Sequence, residues 1–245
     1  MTSAIAETDV DENGGQIVEQ MSVRAWLKNP HLYKVAIIFG CAKVAQNVSY
    51  SYLPLFLTDT LKFEKEAIAY LPLVILLSSI VSSGISKKLD GKIGRKGSSL
   101  FAALLVIGAS FWFYFITPSI RVQIYPAAAL LGAGFSAMFV NSLCFTTELI
   151  GDNQKTSGFV FAFVADMSYL MQGATFAIAQ KLFPEGSSSE ECQECSDYVR
   201  HVFSILPGSF ALLSLLTVLF FQSSEAKREG KAMEENATSK SDEAT

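Results

Sequence analysis

The chain lacks every short constellation that marks the common catalytic chemistries. It has no Gly-x-Ser-x-Gly turn, no His-Glu-x-x-His helix and no Gly-rich phosphate loop closed by Lys and Ser or Thr. No enzyme activity, cofactor or metal is therefore expected. Histidine is scarce, with only His31 and His201, and the topology derived below sets these at opposite membrane boundaries, where they cannot share a metal. Basic residues are missing before Arg24, although Glu7, Asp9, Asp11, Glu12 and Glu19 lie there. Apolar residues are nearly missing after Phe221. Neither end can bury enough surface to offset its ordering entropy. Residues 1–22 are expected to form a disordered acidic tail and residues 223–245 a disordered cytoplasmic tail. The formal charge of −4 comes largely from these tails and gives no reason to expect nucleic acid. Residues 1–20 also lack the basic start and apolar run of a cleavable signal, so the first span is expected to serve as its own insertion signal.

What the sequence has is apolar bulk. Half of its 245 residues are hydrophobic, gathered into blocks of about 20, the length that crosses a ~30 Å hydrocarbon core. Such runs do not alternate with period two, so helices are predicted rather than barrel strands. The fold class read from this pattern is an all-α polytopic membrane protein, with residues 23–222 as one bundle of six spans. These are placed at Val35–Leu57, Ile68–Ser86, Ser98–Thr117, Val122–Thr147, Gly158–Leu182 and Val202–Phe221. Between the second and third lies a hairpin with five basic residues (Lys87, Lys88, Lys92, Arg95 and Lys96) and one acid, Asp90. Short loops rich in Lys and Arg stay in the cytoplasm. With both termini on that side, Arg24, Lys28, Lys34, Lys155 and the C-terminal basic residues join the hairpin there. Only Lys62, Lys65, Arg121, Lys181 and Arg200 fall opposite.

The first span is the most polar. Lys43, Gln46, Asn47, Tyr50 and Pro54 recur at helical spacing along one face. A lysine within a span usually faces a cavity or a partner, at an insertion cost of roughly 2.5–3.5 kcal/mol; the alternative is a side chain snorkelling to the cytoplasmic interface. Asp166 in the fifth span lies at the same depth as Lys43, ~12 Å in at 1.5 Å per residue. The pair can share a cavity or neutralise each other, Asp166 can instead hold a proton or cation, or each can reach water alone. The fourth span carries Gly132 and Gly134, which permit close helix approach, then Asn141, and ends at Glu148. Glu148 can latch onto Arg95 as a gate or remain a solvated helix-end carboxylate. Cys192 and Cys195 sit in the non-cytoplasmic loop, where oxidation is permitted, and a local disulfide is expected rather than a link to another chain. Two cysteines are too few for a four-ligand zinc site. Cys41 and Cys144 read as ordinary core residues.

Asp90 with Gly94-Arg95-Lys96 resembles the loop motif of the major facilitator superfamily. The resemblance extends over Trp26–Tyr33, Asn47–Tyr52, Pro72–Ser79, Ala129–Gly134, Glu148–Gly151 and Thr156–Gly158. Together these segments cover about Arg24–Phe221 and are similar to the C-terminal half of carriers near the glycoside–pentoside–hexuronide cation symporters. The resemblance implies a twelve-helix fold, of which this chain is a six-helix half-bundle, residence in lysosomes or related organelles (with the plasma membrane as the alternative) and import of cysteine. It places Lys43 at a basic position, Asn47 and Tyr52 at polar positions and Glu148 at an acidic one. The expected substrate or ion path comprises Lys43, Gln46, Asn47, Tyr50, Tyr52, Asn141 and Asp166, and the cytoplasmic gate comprises Asp90, Gly94, Arg95 and Glu148. The expected partners are the lipid bilayer, a small-molecule substrate, and either a missing N-terminal six-helix half or a second copy. A sugar–cation symporter half and a non-transporting protein that binds full-length carriers are the alternative functions.

Overall fold

The computed structural model describes residues 21–61, 63, 67–184 and 193–242. Among these residues every regular element is helical. A short helix α1 (Val23–Lys28) leads into α2 (Pro30–Leu55), α3 (Ala67–Phe115), α4 (Ile124–Ile150), α5 (Ser157–Lys181) and α6 (Gln193–Asp242). Local chemistry fixes the first boundary. Ser22 caps α1 through its side chain, and the Asn29 side chain accepts from the His31 N–H at 3.0 Å just as Pro30 opens α2. Pro54, near the end of α2, has no N–H to give the ladder, and the chain loosens there into a π-turn over Phe56–Thr60.

The two spans predicted on either side of the basic hairpin form a single element, α3, broken into two limbs at Gly94. Its φ of 75° and ψ of 167° suit glycine alone. Segment Lys88–Arg95 is bent 64° away from Tyr70–Ser86, so the hairpin is a helical elbow rather than an open loop. A second glycine with positive φ, Gly151 at 50°, ends α4 and returns its N–H to the Thr147 carbonyl at 3.1 Å.

Helix α2 packs on α4, α5 and α6, while α4 also packs on both limbs of α3. Gly132 abuts the backbone of Ile75 on the first limb, and Gly134 abuts Val106 on the second. The expected role of these two glycines is thereby met. The core divides into two clusters. One holds Phe56, Phe113 and Phe203, whose ring centroids lie 4.7–6.0 Å apart. The other, at the opposite end of α2, holds Trp26, Leu32, Val35, Phe145, Val160 and Val218. In a bilayer such contacts act through close packing and hydrogen bonds rather than through escape from water.

Among the described residues, four helices are long and apolar enough to cross a membrane, and a fifth if the bent pair in the first limb of α3 counts as one span. Helix α2 has the length but not the apolarity. Its polar residues are tolerated because neighbouring helices surround it, leaving Cys41, Val44, Ala45 and Val48 almost fully buried. The protein is thus an all-helical, multi-pass membrane protein with the architecture of a helical half-bundle. Helix α6 continues to Asp242, beyond the apolar stretch ending at Phe220.

Candidate functional site

The polar face of α2 meets α5. The Asn47 side-chain amide donates to the Gln172 side-chain oxygen, and the Gln172 amide donates onward to the Ser168 carbonyl at 3.2 Å. Gln172 is buried, and its amide is paired on both its oxygen and its nitrogen, as low-dielectric surroundings demand. Nearer the N-terminal end of α2, the half-buried Lys43 ammonium stands 4.1 Å from the centroid of the Phe139 ring on α4. That cation–π contact is worth at least about 0.5–1 kcal/mol. Towards the other end, Tyr52 stacks parallel to Phe176 at 6.5 Å. There an open pocket is lined by Ser51, Tyr52, Leu55, Phe176, Gln180 and Phe183. Lys43, the Asn47–Gln172 pair and this uncharged pocket therefore follow one another along α2, the first against α4 and the other two against α5. Gln46 and Tyr50 are half-buried on the same helix.

Two candidate path residues lie elsewhere. Asp166 is exposed on α5, and no ion pair joins it to Lys43 among the described residues. The equal depth of the two residues did not bring them together, because depth along a helix leaves its rotation free, and here Asp166 turns outward while Lys43 turns to Phe139. Asn141 is buried on α4 and exchanges hydrogen bonds of 3.3–3.4 Å with Ser98 on the second limb of α3. It belongs to the α3–α4 seam and adjoins a small void also lined by Ser99 and Ser214, not the α2–α5 face.

At the elbow the structure brings together two of the four expected gate residues. Arg95, one residue after the Gly94 break, forms an ion pair with Glu148 near the end of α4. The same guanidinium donates to the Cys144 carbonyl at 3.4 Å and lies 5.9 Å from the Phe145 ring. Glu148 is 58% exposed, so this pair is of the surface kind, worth at most about 1 kcal/mol. Asp90 is half-buried, with one carboxylate oxygen that lacks a hydrogen-bond partner. On the far side, Cys195 is disulfide-bonded, whereas Cys41 and Cys144 are free thiols; Cys192 lies outside the described residues. His201 rests against Tyr114 at 5.7 Å, its Nδ1 2.6 Å from the Asp197 carbonyl oxygen.

The family model described as Major Facilitator Superfamily matches residues 6–178. The chain belongs to the major facilitator superfamily. It is 31% identical over 193 residues to "Major facilitator superfamily domain-containing protein 12" of Mus musculus, covering 79% of this chain and 40% of that protein. The human protein of that name is 31% identical over 191 residues (78% of this chain, 39% of the relative). The horse protein is 29% identical over 193 residues (79% and 40%). The chain thus spans about 40% of the length of the curated relatives it matches. Membership in this family supports a role in membrane transport.

Sequence reasoning missed three features of the site's surroundings. Gln172 gives no signal of its own in an apolar span until Asn47 is known to face it. The serines Ser78, Ser79 and Ser82 were detectable as small polar residues grouped in one apolar run, and they bond across to α4. Trp26, inside a basic pre-span segment, is the buried anchor of α1 and donates from its indole N–H to the Thr156 hydroxyl at 2.9 Å.

Proposed function

We propose that this chain is one six-helix half of a carrier that moves a small solute, foremost cysteine, across a lysosomal or related organelle membrane. The observation that carries this reading is the polar track on α2. A scaffold has no use for a half-buried lysine followed by a side-chain amide pair inside a helical bundle, whereas a solute with hydrogen-bonding groups needs such partners along its way. The Asn47–Gln172 pair is well suited to an exchange in which one amide releases the other and accepts the solute. Lys43 supplies the positive charge that a carboxylate would meet, and the pocket around Tyr52 and Phe176 is the outer mouth. The Arg95–Glu148 pair acts as the cytoplasmic latch, weak enough to open in each cycle. Alternating access rocks two bundles about a site between them, so the path is completed by an N-terminal six-helix half or a second copy.

The test is uptake of radiolabelled cysteine into proteoliposomes containing the purified chain, with and without a co-expressed N-terminal half of the mouse relative, and with oligomeric state determined on the same samples. Saturable uptake that falls at least tenfold in Asn47→Leu and in Lys43→Ala supports the reading. Uptake indifferent to both substitutions removes the α2 track from the path. A chain that binds full-length carriers without transporting would keep that binding in Lys43→Ala and show no uptake in any combination.

A further inference from the structure

We propose that α1 is a membrane-plane anchor that holds anionic phospholipid headgroups of the cytoplasmic leaflet against Arg24 and Lys28. The helix is short and held firmly from one side. Trp26, 1% exposed, is its only buried residue, and its indole N–H bonds to Thr156 in the α4–α5 connection. Just before the helix, the Met21 backbone N–H donates to the Asn153 side-chain oxygen of the same connection at 2.9 Å. These two ties fix the rotation of α1 about its axis.

With that rotation fixed, the exposed positions fall into two adjacent arcs. At about 100° per residue, taking Val23 as zero, Trp26 lies near 300°, Val23 and Leu27 centre near 20°, and Arg24 and Lys28 centre near 120°. Half-buried Ala25 lies at about 200°, beyond both arcs. Going round the helix, the protein contact is therefore followed by an apolar arc and then by a basic arc. That order is the one required of a helix lying in the interface beside its own bundle, with apolar side chains dipping into the acyl boundary and cations meeting the headgroups above it. Val23 and Leu27 are 45% and 41% exposed.

The apolar arc does not stop at α1. The Tyr33 hydroxyl donates to the Leu27 carbonyl at 2.9 Å, which sets the tyrosine ring beside that arc. Tyr33 and Ile37, one helical turn apart on α2, continue the exposed apolar surface. Tyrosine with its body in apolar contact and its hydroxyl at a polar edge suits the membrane–water boundary. Arg24 and Lys28 are exposed, and among the described residues neither forms an ion pair. The complement to two exposed cations bordering an apolar strip is a negatively charged headgroup on an acyl chain.

The experiment places the photoreactive residue p-benzoylphenylalanine at position 27 of the full chain, reconstituted in vesicles of equal phosphatidylserine and phosphatidylcholine. Irradiated adducts are identified by mass spectrometry. The expected result is lipid adducts with phosphatidylserine in several-fold excess, about fivefold for each cation engaged, falling to near equality in the Arg24→Gln/Lys28→Gln double variant. The same probe at Leu104, exposed on the second limb of α3, should give near-equal adducts in both backgrounds. Equal lipid adducts at position 27 in the unsubstituted background, an excess that survives the double variant, or adducts to polypeptide alone would each overturn the proposal. The last outcome would mean that another protein surface covers the arc.

Discussion

Replacing Gly132 by alanine should destabilise the bundle, whereas the same replacement at Gly108 should not. A Cβ at Gly132 would lie 2.4 Å from the Ile75 carbonyl oxygen and 3.0 Å from its Cα. Neither atom is the end of a flexible side chain, so relief requires the first limb of α3 and α4 to separate by about 1 Å to reach ordinary contact. That movement strains a ladder of hydroxyl bonds. Ser78 donates to the Ala129 carbonyl, Ser79 to Gly132 at 3.0 Å, Ser82 to Ala133 at 2.9 Å and, in return, Ser136 to Ser79 at 2.9 Å. Stretched by about 1 Å, each leaves the hydrogen-bonding range, and such bonds in membranes average about 0.6 kcal/mol. Added to an overpacking cost of about 1–3 kcal/mol, the loss is roughly 3–5 kcal/mol. At Gly108, also within α3, a Cβ meets nothing within 4 Å, and the helix-propensity gain of alanine makes the change neutral or favourable by up to about 1 kcal/mol. Reversible unfolding in mixed micelles titrated with sodium dodecyl sulfate measures both. Equal midpoints for the two variants would refute the tight contact between α3 and α4.

Three further outcomes are expected. Trp26→Phe keeps a ring in its site but removes the bond to Thr156, costing about 1 kcal/mol; Thr156→Val should cost a similar amount, and the double variant little more than either, as a double-mutant cycle of unfolding midpoints would report. Reversing one member of the Arg95–Glu148 pair should shift stability by no more than about 1 kcal/mol because Glu148 is largely exposed. Any uptake defect of Glu148→Arg should then recover in Arg95→Glu/Glu148→Arg, and no recovery would rule the pair out as the latch. Under denaturing conditions, iodoacetamide should modify Cys41 and Cys144 directly but Cys195 only after dithiothreitol, as peptide masses will show.

What was legible in the sequence follows from how each feature is encoded. A break between two apolar limbs was legible because it is local: Gly94 and the basic residues around it lie within a few positions of one another, although their helical conformation was not. The face of α2 was legible because one helical period relates Lys43, Gln46, Asn47 and Tyr50. What was not legible is what that face meets. Asn47 and Gln172 are separated by 125 positions, and whether they touch depends on the rotation of α5 about its axis. Apolar periodicity sets that rotation in a water-soluble helix, but α5 is apolar nearly all round, so pattern alone does not say which side is inward. The same gap explains why equal depth suggested a Lys43–Asp166 pair that the fold does not make. It also explains Trp26, whose burial depends on a connection about 130 residues later.

The rotation of α5 therefore decides what Asp166 does. Its carboxylate is turned away from Lys43 and the Asn47–Gln172 pair, on a face where exposed Tyr169 and Leu170 also lie. A charged carboxylate facing acyl chains is expensive, so an ionised Asp166 requires a polar neighbour on that side, which in a two-bundle carrier is the opposing half. Asp166→Asn should then leave the folding of this chain alone almost unchanged, because no contact within the bundle is lost, yet weaken assembly or coupled uptake once the second half is present. Melting midpoints of the isolated chain and uptake by the assembled pair separate these effects. A large loss of stability in the isolated chain would mean that Asp166 serves the bundle itself and that α5 is rotated from the orientation described.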